Sequence, residues 1–160
     1  MSERLHIIEH VFERLSSAEL IDVISARSRE SSTADAEKYA AIAELQRRRS
    51  GDGDDREHDA ADPLDGAAAE IGAAFNIGHG RALGEIDIAV MLRDKFPRLN
   101  SLFLEGLLNG RRAWIIEKRT YLVVDPAAQA ALDEALASRI LSWATRTPHL
   151  WPRNPGWLGR

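Results

Sequence analysis

The chain has 160 residues, 44% hydrophobic and 29% charged, which is long enough to bury one core and too apolar for a disordered protein. Cysteine is absent, which excludes disulfides, thiolate metal sites and cysteine nucleophiles. The formal net charge of −4 argues against nucleic acid only until it is mapped along the chain.

Seven carboxylates between Gly51 and Asp65 stand against Arg56 alone, so that stretch carries −6 and the remainder of the chain +2. From Arg93 to Arg119, seven basic residues (Arg93, Lys95, Arg98, Arg111, Arg112, Lys118 and Arg119) face three acidic ones. A global charge misleads when one loop holds the surplus. No apolar run approaches the roughly 20 residues a membrane span needs. The opening MSERLHIIEH carries charges where a signal peptide has its apolar centre, so a cytoplasmic protein is expected.

Taken in order, residues 3–15 predict a short amphipathic helix with Leu5, Ile8, Val11, Phe12 and Leu15 on one stripe. Ser16-Ser17-Ala18-Glu19 has the form of a capping box and starts a second helix. Ala18 to Arg49 has no Pro or Gly and predicts one long helix, with Leu20, Ile24, Ser31, Ala34, Ala41 and Leu45 sharing a face. A break at Ser31-Ser32-Thr33 is the alternative, because hydroxyls compete for the helix backbone. Arg47-Arg48-Arg49 closes it with charge that complements the negative helix end or contacts phosphate. Residues 50–65 then read as a mobile acidic linker without the spacing of a calcium loop.

Asp62-Pro63 and Asp65 signal the next helix. Ala67 to Leu92 predicts two helices joined at Asn76-Ile77-Gly78, with Ile71 and Phe75 as an apolar pair before the turn and Ala82, Ile86, Ala89 and Val90 after it. Asn76 suits a left-handed turn residue, and Gly78 can cap the second helix. This is the layout of a helix-turn-helix, whose second helix enters the DNA major groove when the motif binds DNA. Gly72 and Gly84 each cost about 1 kcal/mol relative to Ala inside a helix, a cost that close helix approach can offset.

Phe96-Pro97 opens a helix through Leu108, with Leu99, Leu102, Phe103 and Leu107 buried and Asn109-Gly110 as its stop. Ala113-Trp114-Ile115-Ile116 reads as core. Tyr121-Leu122-Val123-Val124 has strand composition but no partner strand. Asp125-Pro126 caps a last helix to about Thr145, with Ala130, Leu132, Asp133, Leu136 and Ile140 in register. Residues 146–160 read as an extended tail carrying Trp151 and Trp157, which lie on the core or contact a partner.

Chemistry is sparse. His6-Ile7-Ile8-Glu9-His10 fits an H-x-x-E-H zinc pattern, with both histidines on one helix face and Glu9 as a base, but no third ligand announces itself. His58, His79 and His149 form no cluster, and no nucleophile elbow or phosphate loop is present. For DNA, His79 and Arg81 stand near the start of the second turn-linked helix, where Arg81 suits a guanine edge. Glu85 and Asp87 oppose phosphate on that helix, so Arg93, Lys95, Arg98, Arg111 and Arg112 would hold the backbone.

Four pieces together resemble the 13E12 repeat family, domain of unknown function 222: AAIAELQRRR (40–49), AAAEIGAAFNIGHGRAL (67–83), LNGRRAW (108–114) and VVDPAAQAALDEALASR (123–139), in the family's order. The resemblance covers roughly residues 17 to 145. It implies a domain that commonly precedes an HNH nuclease, and so a role in handling DNA, in mobile elements among other settings. Where the family often continues Gly-Arg-Ile-Ser with a later histidine, this chain reads Gly110-Arg111-Arg112-Ala113-Trp114. The tail HLWPRNPGWLGR differs too, and no HNH motif follows it, so any nuclease chemistry is expected from another chain.

The expectation is an all-α domain of about six helices over residues 1–145, with a helix-turn-helix-like pair, followed by the tail. Its expected role is a non-catalytic DNA-binding or DNA-positioning module without cofactor or metal. The alternatives are a protein-interaction or oligomerisation module that pairs through residues 18–49, and, more remotely, a zinc hydrolase through His6, Glu9 and His10.

Overall fold

A computed structural model describes residues 10–51 and 62–146. His6 and Glu9, most of the acidic linker, and Trp151 and Trp157 of the expected tail lie outside the described residues. After helical residues 10–13 come six α-helices: α1 (Ser17–Gly51), α2 (Pro63–Phe75), α3 (His79–Val90), α4 (Pro97–Leu104), α5 (Gly110–Thr120) and α6 (Pro126–Arg146). Among the described residues there is no strand, so the fold is all-α.

The capping box forms as expected. Ser16 donates its backbone N–H to Glu19 Oε2 at 2.7 Å, and Glu19 N–H returns to Ser16 Oγ at 3.3 Å. α1 then runs unbroken for 35 residues. The hydroxyls that threatened a break find partners outside the helix ladder or beside it: Ser32 Oγ donates to the Ser28 carbonyl, and Thr33 Oγ1 to Leu104 of α4. The expected face is out of register, however. Ser31, Ala34 and Ala41 are exposed and Ile24 is 62% exposed, while Ser32, Ala36, Tyr39, Ile42 and Ala43 are buried. No residue from 10 to 31 is buried, so the apolar residues of the first turns do not set the phase of the half that packs.

Asp62 caps α2 by accepting from Leu64 N–H, with Pro63 at the first helical position. Asn76 ends α2 in the left-handed conformation, φ 53° and ψ 48°, and extended Gly78 opens α3. Between them Ile77 N–H returns to the Gly72 carbonyl at 2.9 Å. Gly72 lies so close to this turn that a Cβ would sit 3.0 Å from the Ile77 oxygen. Close approach thus explains Gly72 but not Gly84, around which nothing lies within 4 Å. Phe75 is exposed rather than paired with buried Ile71, and Lys38 covers its ring at 5.8 Å.

α3 packs on both α1 and α2, burying Ala82, Ile86, Ile88 and Ala89. It continues into a π turn, Met91–Lys95, closed by Phe96 N–H on the Met91 carbonyl. The extra residue rotates Met91, Leu92 and Phe96 all into the core. α4 adds Leu99, Leu102 and Phe103, then stops early at Gly106, whose φ is +76°. Asn109 therefore does not stop α4; its side chain caps α5 by accepting from Arg112 N–H.

Only Ala113 of the expected core run in α5 is buried, because a period of 3.6 turns Trp114 and Ile115 outward. Residues 121–125 form a turn and loop, with Leu122 and Val124 exposed. Asp125 caps α6 through Ala128 N–H, and α6 buries Asp133, Ala137 and Ile140 while Ala130 is exposed. Fully burying a Phe or Leu contributes roughly 1.5–3 kcal/mol, so Phe96, Phe103, Leu99 and Leu108 anchor this core.

Candidate nucleic-acid interface

Three helices each turn one stripe toward a common cleft of about 560 Å³. α1 gives Asp35, Lys38 and Tyr39; α3 gives Gly80, Arg81, Gly84 and Glu85; α5 gives Gly110, Arg111, Trp114 and Lys118. Within each set residues recur three or four apart, which places them on one helix face. The volume falls within the 300–1,000 Å³ range of ligand sites.

Four cations face two carboxylates in this cleft. Several are already engaged. Lys38 Nζ lies 2.9 Å from Asp35 Oδ1, and Lys118 Nζ 2.9 Å from Oε2 of buried Glu117. Tyr39 donates its hydroxyl to Glu85 Oε2 at 2.8 Å. Burial first, and then this bond, push the Tyr39 phenol well above the usual tyrosine range. Asp35 presses on the start of α5 so closely that a Cβ on Gly110 would stand 2.9 Å from Oδ2, where the helix dipole favours a carboxylate.

Arg81 and Arg111 are the exception. Both are exposed, both line the cleft, and neither makes a side-chain hydrogen bond or ion pair with another described residue. Each stands in the first turn of its helix, where free backbone N–H groups add positive potential. Gly78 has no side chain with which to cap α3.

The other residues expected to touch DNA lie elsewhere. His79 Nε2 is 3.1 Å from Asp65 Oδ1 at the exposed start of α3. Arg93 forms a fork on Asp94, with contacts of 2.6 and 2.8 Å, and donates to the Ala43 carbonyl at 2.8 Å. That tie fastens the π turn to α1. Arg98 pairs with Glu134 of α6, and the Arg112 guanidinium lies 5.7 Å from the Trp143 ring centre. Lys95 is half-buried near Asp87, whose carboxyl is pushed up by burial and by Glu117 against the pull of Lys118 and Lys95. Arg47 and Arg48 clasp Glu44, and Arg49 reaches Glu70 of α2.

Of the residues expected to touch DNA, the cleft brings together Arg81 and Arg111, and Lys38, Tyr39, Trp114 and Lys118 line it without having been expected there. The signal was present: Gly80 and Gly84 are four apart, as are Gly110, Trp114 and Lys118. Only the packing of α1, α3 and α5 shows that these stripes meet. Among the described residues, no group of three or more His, Cys, Asp or Glu is placed to hold a metal. His10 pairs with Glu13 at 3.2 Å. No described helix is long and apolar enough to cross a membrane.

A family model described as Domain of unknown function (DUF222) matches residues 26–150. The chain belongs to this family. The DUF222 chain is 39% identical over 144 residues to "Uncharacterized protein in est 3'region" of Mycobacterium tuberculosis, covering 89% of this chain and 41% of that protein. It is 39% identical to "Uncharacterized protein Rv3776" and 40% identical to "Uncharacterized protein Rv2100", both of M. tuberculosis strain H37Rv, covering 27% and 26% of those proteins. The DUF222 chain thus spans less than half the length of these relatives. No solved structure matches it.

Proposed function

We propose that this DUF222 chain is a DNA-binding or DNA-positioning module, non-catalytic by itself, serving an HNH-type nuclease in longer mobile-element proteins. The observation that carries this reading is the pair Arg81 and Arg111: two guanidinium groups from separate helix starts, without a side-chain partner among the described residues, lining one open cleft beside half-exposed Trp114. Guanidinium forks match phosphate oxygens and guanine edges, and an exposed indole offers a stacking surface.

Arg81 and Arg111 fit phosphate oxygens from the two helix starts, with Lys38 and Lys118 also lining the cleft, while His79, held by Asp65 at the exposed start of α3, would contribute less. Arg93, Arg98 and Arg112 have partners within the fold and would contribute less. The net charge of −4 limits long-range attraction, so binding is expected at the weak, non-specific end, about micromolar or weaker. Titration of duplex DNA at a series of salt concentrations tests this. The expected slope of log K against log salt is about −2 to −4, for about two to four phosphate contacts. Absence of binding at low salt, or binding indifferent to salt, refutes it.

A second reading rests on the start of α1. Ile21 and Ile24 are exposed there, and nothing from residue 10 to 31 is buried. A self-associating or protein-binding helix would use this face, and a dimer without DNA affinity would favour it.

A further inference from the structure

Gly84 has no reason within the fold to be glycine. It lies inside α3, where glycine costs about 1 kcal/mol relative to Ala, and its φ is not positive. A Cβ there would meet nothing within 4 Å, unlike one at Gly72 or Gly110. Gly80, one turn earlier, is equally unobstructed. Both line the cleft, so α3 offers it a stretch of bare backbone. Glycine at these two positions leaves the helix backbone open to a close approach from the cleft.

The chemistry around that floor is specific. Trp114 on α5 also lines the cleft and is 51% exposed, an indole left uncovered beside polar walls. Arg81 and Arg111 supply cations without an ion-pair partner among the described residues, and Glu85 keeps Oε1 as an acceptor beyond the Oε2 bonded to Tyr39. A flat aromatic ligand that carries both an amino edge and an anionic group answers to all of these. A simple anion leaves the indole and the glycine floor unused, and an apolar ligand leaves the arginines unused.

We propose that the cleft of α1, α3 and α5 receives one unstacked nucleobase of a DNA strand, its face against Trp114 and the Gly80–Gly84 backbone and its phosphate against Arg81 and Arg111. This rests on the DNA-binding reading above and adds to it a preference for DNA with an unpaired nucleotide. A base inside an intact duplex cannot reach such a cleft without leaving its stack, at a cost that a gap removes. Stacking on an aromatic side chain contributes enough per base to give about a tenfold preference.

The test compares fluorescence anisotropy titrations of an intact duplex and of the same duplex with a short single-stranded gap, for the native chain, Gly84→Leu and Trp114→Ala. The native chain is expected to bind the gapped DNA about tenfold more tightly. Gly84→Leu fills the floor and Trp114→Ala removes the stacking face; each is expected to bring the ratio to about one by weakening gapped-DNA binding more than duplex binding. A Cβ at this position meets nothing within 4 Å and Leu has the better helix propensity, and an unchanged melting temperature of each variant shows that it stays folded. Equal affinity of the native chain for both DNAs, or a ratio preserved in either variant, overturns the nucleobase site while leaving the duplex reading standing. Failure to bind either DNA overturns both.

Discussion

Tyr39 and Glu85 join α1 to α3 through a 2.8 Å hydrogen bond at the wall of the cleft. The bond gives a buried phenol its acceptor and directs one carboxylate oxygen of the cleft at a neutral donor. Because burial and the bond raise the Tyr39 pKa, the folded chain holds this proton at a pH where the unfolded chain releases it. The stabilisation is complete below the unfolded value of 10.0 and is lost as pH rises above it. Tyr39→Phe is expected to cost about 1 kcal/mol at neutral pH and to flatten the alkaline fall in stability. Urea denaturation at neutral pH and above pH 10.0 checks both expectations.

Asp133 is only 3% exposed, and its two carboxylate oxygens accept from the N–H groups of Arg98 and Leu99, each at 2.9 Å. A side chain of α6 thus caps α4, whose own preceding residue, Phe96, gives no side-chain cap. Asp133→Ala leaves the buried Leu99 N–H without a partner and should cost about 2–4 kcal/mol. Asp133→Asn, which keeps one acceptor, should cost roughly half as much. Denaturation midpoints at an unchanged m-value are the measurement.

Gly84, Gly72 and Gly106 separate by what surrounds them. Gly84→Ala should raise stability by about 1 kcal/mol, since its methyl meets open space. Gly72→Ala should lower it, because the new Cβ stands 3.0 Å from a backbone oxygen that cannot yield cheaply. Gly106→Ala should cost about 1 kcal/mol or more, as its φ of +76° disfavours any side chain and the Arg29 backbone is 3.0 Å away. Thermal melts of the three variants give the ranking.

Glu44 accepts from Arg47 and Arg48, and these bonds lower its carboxyl to about 2. A depressed carboxylate contributes stability above its unfolded value of 4.5 and loses it as pH falls toward about 2. The pair is solvent-exposed, so the contribution to global stability should be small. The Glu44 side-chain resonance should titrate near the lowered value, and salt should shift it back toward the ordinary one.

Local chemistry was legible in the sequence wherever one residue type has one physical use. Ser16 and Glu19, Asp62 before Pro63, left-handed Asn76 and Asp125 before Pro126 all take the places their chemistry dictates. Phase was harder to read. Alanine stands both on the stripe of Ala36, Tyr39 and Ala43 and on that of Ala34 and Ala41, so alanine spacing alone did not separate them, and Tyr39 with Ile42 was the mark of the buried one. The cleft was half legible. Arg81 and Arg111 stood out by charge, but Trp114 looked like core because its neighbours are apolar. The π turn at Met91–Lys95 and the early stop at Gly106 decide how α4 and α5 are placed, and neither has a reliable sequence mark.

DNA binding through the cleft is tested most directly by the affinity of the Arg81→Ala/Arg111→Ala double variant for duplex DNA at low salt. The native chain should bind at about micromolar affinity or weaker, and the double variant should lose about tenfold or more with its helical circular dichroism unchanged. A native chain that ignores DNA, or a double variant that binds as well as the native chain, would contradict it.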